Sequence, residues 1–462
     1  MIGSKLTRRE AAKLLLAASA LAAGPLGRAQ AQALEGITVA VVGAGIAGLG
    51  AARMLADKGA TVIVLEAKPH IGGRLLTDHS MGAPFEIGAG WIHGPEGGNP
   101  VTALATAVDA QFFVTDDDNL VVYDAEGEEV PEAALYELDE DYWELLERVD
   151  DRIERSDRRS LQEAIEAISS SSLGDPLIRW ALTAFTEFST GGPIERLSAT
   201  QFDEDDVYDG ADVVLTGGYD EILKPLAAGL DIRLSNKVTA IRYWDDDGAA
   251  LEVEGPDGAA TIEADYVVCT LPLGVLKQGT VAFDPPLPDD HAERIERLPM
   301  GNVTKVALKF DQPFWPTDVQ YFGFVTEPKG RWPYFLNYRT FVEQNILVAL
   351  SFGAYAAPAE AMSDAEVWAD IKQVMETAWD GVPERPSQMI VTRWSLDPET
   401  LGAYSYTGTG IFDDDYDDLR EPIAHVLHLA GEHTYFDFHG TTHGAYMTGL
   451  WAAEAILEWE DG

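Results

Sequence analysis

Cysteine is nearly absent from this sequence of 462 residues, and its scarcity limits the possible chemistry. The single cysteine, Cys269, rules out a disulfide within the chain. It ends the apolar run Tyr266-Val267-Val268-Cys269, which favours a small buried hydrophobic side chain over a reactive thiol. Because histidine and cysteine do not cluster at ligand spacing, the sequence predicts no metal site.

Basic residues are also scarce. Lysine and arginine number 32 against 78 aspartates and glutamates, which gives a formal net charge of −46. A field of this sign repels nucleic acid and anionic lipid, so neither is an expected partner. It would attract a cationic small molecule, although an acidic coat that serves solubility or high salt is the alternative explanation. The hydrophobic share of 46% is that of a globular protein rather than a disordered one.

Residues 1–33 are predicted to be a signal peptide. Arg8 and Arg9 precede an apolar stretch at residues 14–23, and small residues at 29–33 offer cleavage sites. The segment resembles a twin-arginine signal, with a Sec signal or an uncleaved anchor as alternatives. The resemblance implies the Tat export machinery as a partner and a periplasmic or secreted location. No later segment is typical of a membrane span, so none is expected in the mature chain.

The sequence after residue 36 predicts a dinucleotide-binding unit. Residues 37–42 form an apolar, β-branched run that is typical of a strand buried on both faces. A Gly-x-Gly-x-x-Gly turn follows at residues 43–48, and a helical stretch continues to Lys58. A second strand at residues 61–65 ends at Glu66, which completes a β-α-β unit.

Each part of this unit has a mechanical reason. Among Gly43, Gly45 and Gly48, one glycine makes the tight turn, one lets backbone N–H groups approach a pyrophosphate, and one lets the helix pack on the strand. Glu66 is placed to accept hydrogen bonds from ribose hydroxyls. The motif does not by itself distinguish NAD from FAD.

The following residues favour FAD. Ile71-Gly72-Gly73-Arg74 supplies a flexible loop and, in Arg74, a guanidinium suited to a second pyrophosphate contact. Residues 86–94 then read Glu-Ile-Gly-Ala-Gly-Trp-Ile-His-Gly; Gly90 and Trp91 in this run are expected to contact the cofactor, and the run also includes His93. With this run the chain resembles the flavin-containing amine oxidase family, and the Trp-Ile-His-Gly form is most similar to the polyamine oxidase branch.

Further segments carry the same resemblance. Residues 215–219 precede an expected strand at 232–238, in which Val238 matches the valine whose backbone meets the adenine in this family. Residues 267–277 are similar to the strand and loop that re-enter the flavin domain.

The C-terminal part resembles the family's flavin signature. Glu432, in the run at residues 429–434, matches the glutamate that contacts the ribityl side of FAD. A helix beginning near residue 443 would direct its N–H groups at the pyrimidine edge of the flavin, with Thr442 and Ala445 at its entry. The region has no cysteine, so the resemblance implies FAD held non-covalently.

The resemblance spans nearly all of the chain after the signal and implies an α/β fold, α+β overall. A Rossmann-like FAD-binding domain would take residues 34–100, 215–300 and 401–462. An interleaved substrate-binding domain of mixed sheet and helices would take residues 101–214 and 301–400.

Four side chains are implied at the reacting centre and its mouth. Lys305, on an alternating stretch at 301–310, matches the lysine that reaches flavin N5 through a water, and a solvent-facing strand lysine is the alternative. Tyr404 matches one wall of an aromatic cage or is a core residue, whereas Thr441 stands at the opposite wall, often a tyrosine, and leaves that side open. His93 is expected near the pocket mouth, where it senses substrate charge or binds a backbone carbonyl.

Glu187 matches a carboxylate that binds a distal amine in some polyamine oxidases. It lies between two phenylalanines, so its burial would demand a cationic partner, and surface exposure is the alternative.

The implied reaction transfers a hydride from the carbon alpha to nitrogen to flavin N5. The imine then hydrolyses, and molecular oxygen regenerates FAD with release of hydrogen peroxide. A cationic, polyamine-type amine is the preferred substrate. The alternatives are an L-amino-acid oxidase, for which Arg331 or Arg339 would have to face the flavin, a secondary or alkaloid-like amine oxidase, and, more distantly, a non-catalytic flavin-binding interaction protein.

Overall fold

The computed structural model describes residues 33–245 and 247–461, so the predicted signal peptide, apart from its last residue, lies outside the described residues. Its strands are, in chain order, β1 (Thr38–Val42), β2 (Thr61–Leu65), β3 (Thr77–Asp78), β4 (Phe85–Glu86), β5 (Phe112–Val114), β6 (Leu120–Tyr123), β7 (Val213–Leu215), β8 (Asp231–Arg233), β9 (Lys237–Trp244), β10 (Gly248–Gly255), β11 (Gly258–Ala264), β12 (Tyr266–Cys269), β13 (Ala282–Asp284), β14 (Thr304–Lys309), β15 (Tyr321–Phe324), β16 (Tyr334–Asn337), β17 (Ile346–Ser351), β18 (Gln388–Val391) and β19 (Leu427–Leu429).

Helices connect and cover these strands. In chain order they are α1 (Ile46–Asp57), α2 (Pro100–Ala107), α3 (Glu132–Asp150), α4 (Leu161–Ser169), α5 (Pro176–Ala181), α6 (Phe188–Thr190), α7 (Leu223–Ala227), α8 (Leu273–Gln278), α9 (Asp289–Arg297), α10 (Gly353–Ala361), α11 (Asp364–Ala378), α12 (Asp413–Asp417) and α13 (Thr442–Asp461). A π-helical turn, Leu182–Glu187, joins α5 to α6.

A five-stranded parallel sheet forms the nucleotide-binding end, in the order β19-β12-β1-β2-β8. The three valines of β1 are buried, as expected for a central parallel strand. Through α1 the chain reaches β2 on one side of β1, whereas β12 pairs on the other side. The carboxyl end of β1 is therefore the position where the connections diverge, and open parallel sheets bind ligands there.

The C-terminal helix α13 packs directly on α1. A Cβ atom added to Gly449 would lie 2.1 Å from the backbone oxygen of Ala47. A Cβ atom added to Gly50 would lie 2.9 Å from the ring of Tyr446. Glycine therefore sets the close approach of the two helices and brings the first turns of α13 alongside α1.

Two further sheets complete the framework. A four-stranded sheet, in the order β11-β10-β9-β13, packs on one face of the parallel sheet. A six-stranded sheet, in the order β18-β14-β17-β16-β15-β6, is antiparallel except for the parallel pair β15 and β6. Apolar residues of α3, α4 and α5 cover one of its faces and those of α11 cover the other.

The predicted fold class, α/β with a Rossmann-like unit, is confirmed, whereas one predicted strand is wrong. Residues 232–238 belong to two strands in different sheets, β8 and β9. Ser235 adopts a left-handed φ of 55° between them, because the chain has to turn sharply to leave one sheet for the other. The boundaries of the two expected domains stay a prediction.

Membrane-spanning character is not found in the described ranges 33–245 and 247–461. No helix there is both long enough and apolar enough to cross a bilayer.

Candidate active site

The glycine turn after β1 leaves room for a ligand at one position. Gly43 has a left-handed φ of 104°, which makes the tight turn, and a Cβ on Gly48 would lie 2.1 Å from the oxygen of Gly43. Gly45 differs, because its φ of −73° suits any residue and a Cβ there would meet nothing closer than 4.0 Å. The space beside Gly45 thus matches the close backbone approach that a pyrophosphate needs.

Glu66 follows β2 of the parallel sheet, and Val238 lies nearby at the start of β9 in the four-stranded sheet. The Glu66 carboxylate accepts hydrogen bonds from the backbone N–H of Ala44 at 2.7 Å and of Lys68 at 2.8 Å. Its backbone oxygen accepts a hydrogen bond from the N–H of Asn236, two residues before Val238. The residues predicted for the ribose and the adenine are therefore neighbours in the structure.

Arg74 and Glu432 form an ion pair in which Nη1 lies 2.7 Å from Oε1. The Arg74 guanidinium also donates to the backbone oxygen of Ala403, and the second Glu432 oxygen accepts from the Ser405 hydroxyl at 2.6 Å and the Gly440 N–H at 3.1 Å. Burial acts to raise the pKa of Glu432, but the charge of Arg74 and the hydrogen bonds from Arg74 and Ser405 contribute to a larger opposing effect, and the pKa falls to about 2. The carboxylate is therefore ionised.

His433, the next residue, was missed as a site residue although it stands in the flavin signature. It is buried, and neither ring nitrogen has a hydrogen-bond partner among the described residues. Burial lowers its pKa to about 4, so the ring is neutral. Buried polar atoms in proteins nearly always have partners. The orphaned ring beside Glu432 and the open cradle at Gly45 both fit an FAD-binding site.

Lys305 occupies β14 and faces inward. Its side chain is 8% exposed, which excludes the alternative of a solvent-facing strand lysine. The ammonium donates a hydrogen bond to the backbone oxygen of Gly88 and lies 6.0 Å from the centre of the Trp91 ring. A Cβ on Gly90 would lie 4.0 Å from it. Burial lowers the pKa of Lys305 to about 8.

Phe188 lies between Trp91 and Tyr404 and contacts both residues. The Trp91 and Phe188 rings meet edge to face with their centres 6.0 Å apart. The Tyr404 hydroxyl donates to the backbone oxygen of Phe188 at 2.8 Å. A Cβ on Gly191 would lie 2.3 Å from the Tyr404 ring, so this glycine makes room for the ring. Aromatic faces in this arrangement can hold an amine.

The side chain of Thr441, expected at the open side of the aromatic cage, caps the N-terminus of α13. Its hydroxyl accepts a hydrogen bond from the Gly444 N–H at 3.0 Å and donates to the Phe438 oxygen at 2.7 Å. This is the geometry of a helix N-cap. The N–H of Ala445 donates to the Thr441 oxygen at 3.1 Å, and the side chain of Thr442 lies against Tyr219. The entry of α13 is thus fixed by its own residues.

His93 forms a pair with a carboxylate. Nδ1 lies 2.8 Å from Oδ2 of Asp212, and both side chains are partly exposed. The backbone oxygen of His93 accepts a hydrogen bond from the Asn99 amide. The expected alternative, a ring that binds a backbone carbonyl, is therefore wrong, because Asp212 takes that place.

Glu187 is paired with a lysine of the protein. It is fully buried and forms an ion pair with Lys329, and one oxygen also accepts from the Ile194 N–H at 2.9 Å. Its second oxygen has no partner among the described residues. Burial rules out the exposed position, and Lys329 supplies a cation for the buried carboxylate, whereas the role toward a substrate amine stays a prediction. Glu187 ends the π-helical turn and leads directly into Phe188.

Other acidic groups surround the aromatic side chains. Asp117 lies beside Tyr321, which in turn neighbours Trp91, and Asp212 adds negative charge to the same place. Glu86, buried next to Lys305, was quoted in a motif but given no role. A candidate metal cluster of three or more ligands is not found in the described part of the chain.

Comparisons with known proteins agree with this geometry. The family profile described as "Flavin containing amine oxidoreductase" matches residues 46–457. Polyamine oxidase 2 of Arabidopsis thaliana is 34% identical, with 90% of this chain and 87% of that protein covered. Lysine-specific histone demethylase 1 homolog 2 of the same plant is 34% identical, with 91% of this chain but 58% of that protein covered.

The solved structures show the same fold. A structure of putrescine oxidase bound to putrescine has a TM-score of 0.73 at 22% identity, and the match covers 91% of this chain and 99% of that chain. The chain belongs to the flavin-containing amine oxidoreductase family, and it is an FAD-dependent amine oxidase. The predicted family, its similarity to the polyamine oxidase branch and the FAD cofactor are confirmed.

Proposed function

We propose that this enzyme oxidises polyamine-type substrates and does so outside the cytoplasm. The observation that carries the substrate proposal is the combination of aromatic and acidic side chains next to Lys305. Trp91 neighbours Tyr321. The carboxylates of Asp117 and Asp212 lie near the Tyr321 ring. Such a surface favours a substrate with one amine at the flavin and a second positive charge a few bonds away.

Each group has a role in the reaction. FAD, when bound, supplies the acceptor for a hydride from the carbon next to the substrate nitrogen. The Tyr404 and Trp91 rings orient the amine, and the aromatic packing around Phe188 excludes water. The Lys305 ammonium stabilises the negative charge that develops while oxygen is reduced. Hydrolysis of the imine gives a carbonyl compound and an amine.

The relatives support the substrate class, since several are polyamine oxidases and one structure is a putrescine oxidase with putrescine bound. The amino-acid alternative loses its two candidate arginines. Arg331 forms an ion pair with Asp370 at 2.7 Å, and Arg339 donates to Asn345 at 2.7 Å. Arg331 is thus paired with a carboxylate of the protein, and Arg339 is exposed, so neither fits a buried contact with a substrate carboxylate beside the flavin.

Export is proposed from residues 1–33, on the paired Arg8 and Arg9 ahead of an apolar stretch. A reporter fused to this segment should leave the cytoplasm, and the double substitution Arg8→Lys and Arg9→Lys should retain it, because twin-arginine recognition depends on the guanidinium pair. Export that survives the lysine variant would contradict the Tat assignment and favour a Sec signal.

The substrate class is tested by product analysis. Purified protein with FAD is mixed with spermidine, spermine, N-acetylated polyamines, monoamines and L-amino acids, and peroxide and carbonyl products are quantified. We expect peroxide from the polyamines together with an aminoaldehyde and an amine that sum to the oxidised substrate. Peroxide from monoamines or L-amino acids alone would overturn the polyamine proposal and leave the amine oxidase assignment in place.

A further inference from the structure

Glu86 and Lys305 face one small cavity from two different sheets. Glu86 ends β4, in the short hairpin that precedes the glycine-rich run, and Lys305 lies on β14. Both line a cavity whose other walls are mainly apolar, among them Trp91, Leu336 and Leu350. The carboxylate and the ammonium thus form the charged end of an otherwise apolar space.

The carboxylate is held rigidly. Glu86 is 7% exposed, and its two oxygens accept hydrogen bonds from the Thr77 hydroxyl at 2.7 Å and the Tyr219 N–H at 2.9 Å. These neutral donors fix its orientation without neutralising its charge. Burying a carboxylate in this way is costly unless a cation is close.

The cation that faces Glu86 is Lys305. Among the described residues the two groups form no direct ion pair; the ammonium donates to the Gly88 oxygen, and Gly90 lies beside both side chains. A Cβ on Gly90 would lie 3.3 Å from the Glu86 Cβ and 4.0 Å from the Lys305 ammonium. The glycine therefore lets charge act across a short gap in a medium of low polarity, where Coulomb interaction is strong.

We propose that Glu86 is a positioning residue for oxygen reduction, which keeps the Lys305 side chain charged and directed at the cavity. Conversion of one dioxygen to one hydrogen peroxide takes two electrons, which come from the oxidised amine through FAD, and two protons. Negative charge develops on the oxygen during this step, and a fixed ammonium stabilises it. Without an anion nearby, a buried lysine tends to lose its proton.

The remaining titratable neighbours agree with this role. Burial raises the pKa of Glu86 to about 7, and Lys305 acts to lower it. The negative charge of Asp220 also acts on Glu86 and contributes to raising its pKa. Tyr219 and Tyr338 also face Glu86, and burial raises the pKa of both hydroxyls, so they stay neutral. Glu86 is therefore the anion that compensates Lys305.

The test is the pH dependence of flavin reoxidation in Glu86→Gln, measured by stopped flow after reduction with a good amine substrate. In the unaltered enzyme the rate should fall as the pH rises through about 8, the pKa of Lys305. Loss of the Glu86 charge should lower, by about one pH unit, the pH at which the reoxidation rate falls. If the reoxidation rate of Glu86→Gln falls at the same pH as in the unaltered enzyme, the proposal is overturned.

A direct titration separates this role from a structural one. NMR of ¹³C-labelled lysine, with the Lys305 signal assigned by its loss in Lys305→Met, should show a lower pKa in Glu86→Gln and a nearly unchanged pKa in Glu86→Asp. If Glu86→Gln does not fold, the Thr77→Val variant, which loosens the carboxylate, should shift the pH at which the reoxidation rate falls in the same direction. Lys309→Met, four residues along the same strand, should leave the pH profile unchanged.

The inference depends on the family reaction and not on which amine is oxidised. Anaerobic reduction of the flavin by substrate should change little in Glu86→Gln, whereas a wrong substrate assignment would appear in that half-reaction for the unaltered enzyme. A Lys305 pKa that is equal in the unaltered protein and Glu86→Gln would contradict the inference for any substrate.

Discussion

The Arg74 guanidinium lies 2.7 Å from the Glu432 carboxylate and joins two segments that are far apart in the sequence. Arg74 follows the glycine loop beside Gly45, and Glu432 follows β19 at the other edge of the parallel sheet. Through Ser405 and Gly440 the same carboxylate also binds the loops that carry Tyr404 and Thr441. One ion pair therefore ties the cofactor end of the protein to the reacting end.

Loss of that ion pair should change the acid stability. The folded pKa of Glu432, about 2, lies below its ordinary value of 4.5, so its stabilisation is present above pH 4.5 and is lost as the pH falls toward 2. Glu432→Gln should lower the free energy of unfolding at pH 7 by about 3 kcal/mol, because Arg74 loses its partner in a buried place. Urea unfolding at several pH values measures both effects, and the exposed Glu293→Gln is the control. Equal loss of stability between pH 4.5 and 2 in both variants would contradict this role.

Gly45→Ala should fold normally and lose FAD. The backbone at Gly45 suits alanine, and the added methyl group would meet no protein atom closer than 4.0 Å, but it would enter the space beside the glycine turn. We expect an unchanged unfolding midpoint of the apoprotein and at least tenfold weaker FAD binding, about 1.4 kcal/mol. Gly174→Ala, which also meets open space, is the control for binding. Full FAD affinity in Gly45→Ala would place the pyrophosphate elsewhere.

Glu187 should prove to be a structural carboxylate. Lys329→Met leaves it buried without its cation, so the variant should lose about 3 kcal/mol of stability, and the double variant with Glu187→Gln should regain part of this loss. Denaturant unfolding of the single and double variants measures the coupling. A large rise in KM for polyamines in Glu187→Gln, with stability unchanged, would instead indicate that Glu187 binds a substrate amine.

The carboxylates of Asp117 and Asp212 beside Tyr321 should favour substrates that carry a second positive charge. Asp117→Asn removes a carboxylate beside Tyr321 and should raise KM for spermidine about fivefold, equivalent to about 1 kcal/mol, with little effect on a monoamine. Asp118→Asn, one residue further along and exposed, is the matched control. Equal effects of the two substitutions on spermidine would mean that general surface charge, and not Asp117, attracts the substrate.

The sequence was most informative where the chemistry is local. The glycine turn at residues 43–48 carries its own backbone demands, so the β-α-β unit could be predicted in place. Lys305 was found through its match to the family's lysine, because the alternation at residues 301–310 places it on the same face as Lys309 and left a solvent-facing position open. By contrast, β8 and β19 have three residues each, too few for any periodic signal, and their places in the sheet follow from tertiary packing.

The partners of charged groups could not be predicted. Glu187 and Lys329 are 142 positions apart, and His93 and Asp212 are 119 apart. A buried carboxylate requires a cation, but local sequence does not say whether a substrate or a distant lysine provides it. Glu187 has such a distant lysine in Lys329, so its burial does not by itself indicate a substrate amine. The importance of Glu86 was hidden likewise, since its neighbour Lys305 is far along the chain.

The most direct measurement is the absorption spectrum of the bound flavin under anaerobic conditions, followed after mixing with each class of amine. We expect rapid bleaching of the flavin by spermidine, spermine or their N-acetylated forms, and slow or no bleaching by monoamines and L-amino acids. The oxidised spectrum should return when oxygen is admitted. A flavin that no amine bleaches, or a purified protein that binds no FAD, would contradict the central claim that this chain is an amine-oxidising flavoenzyme.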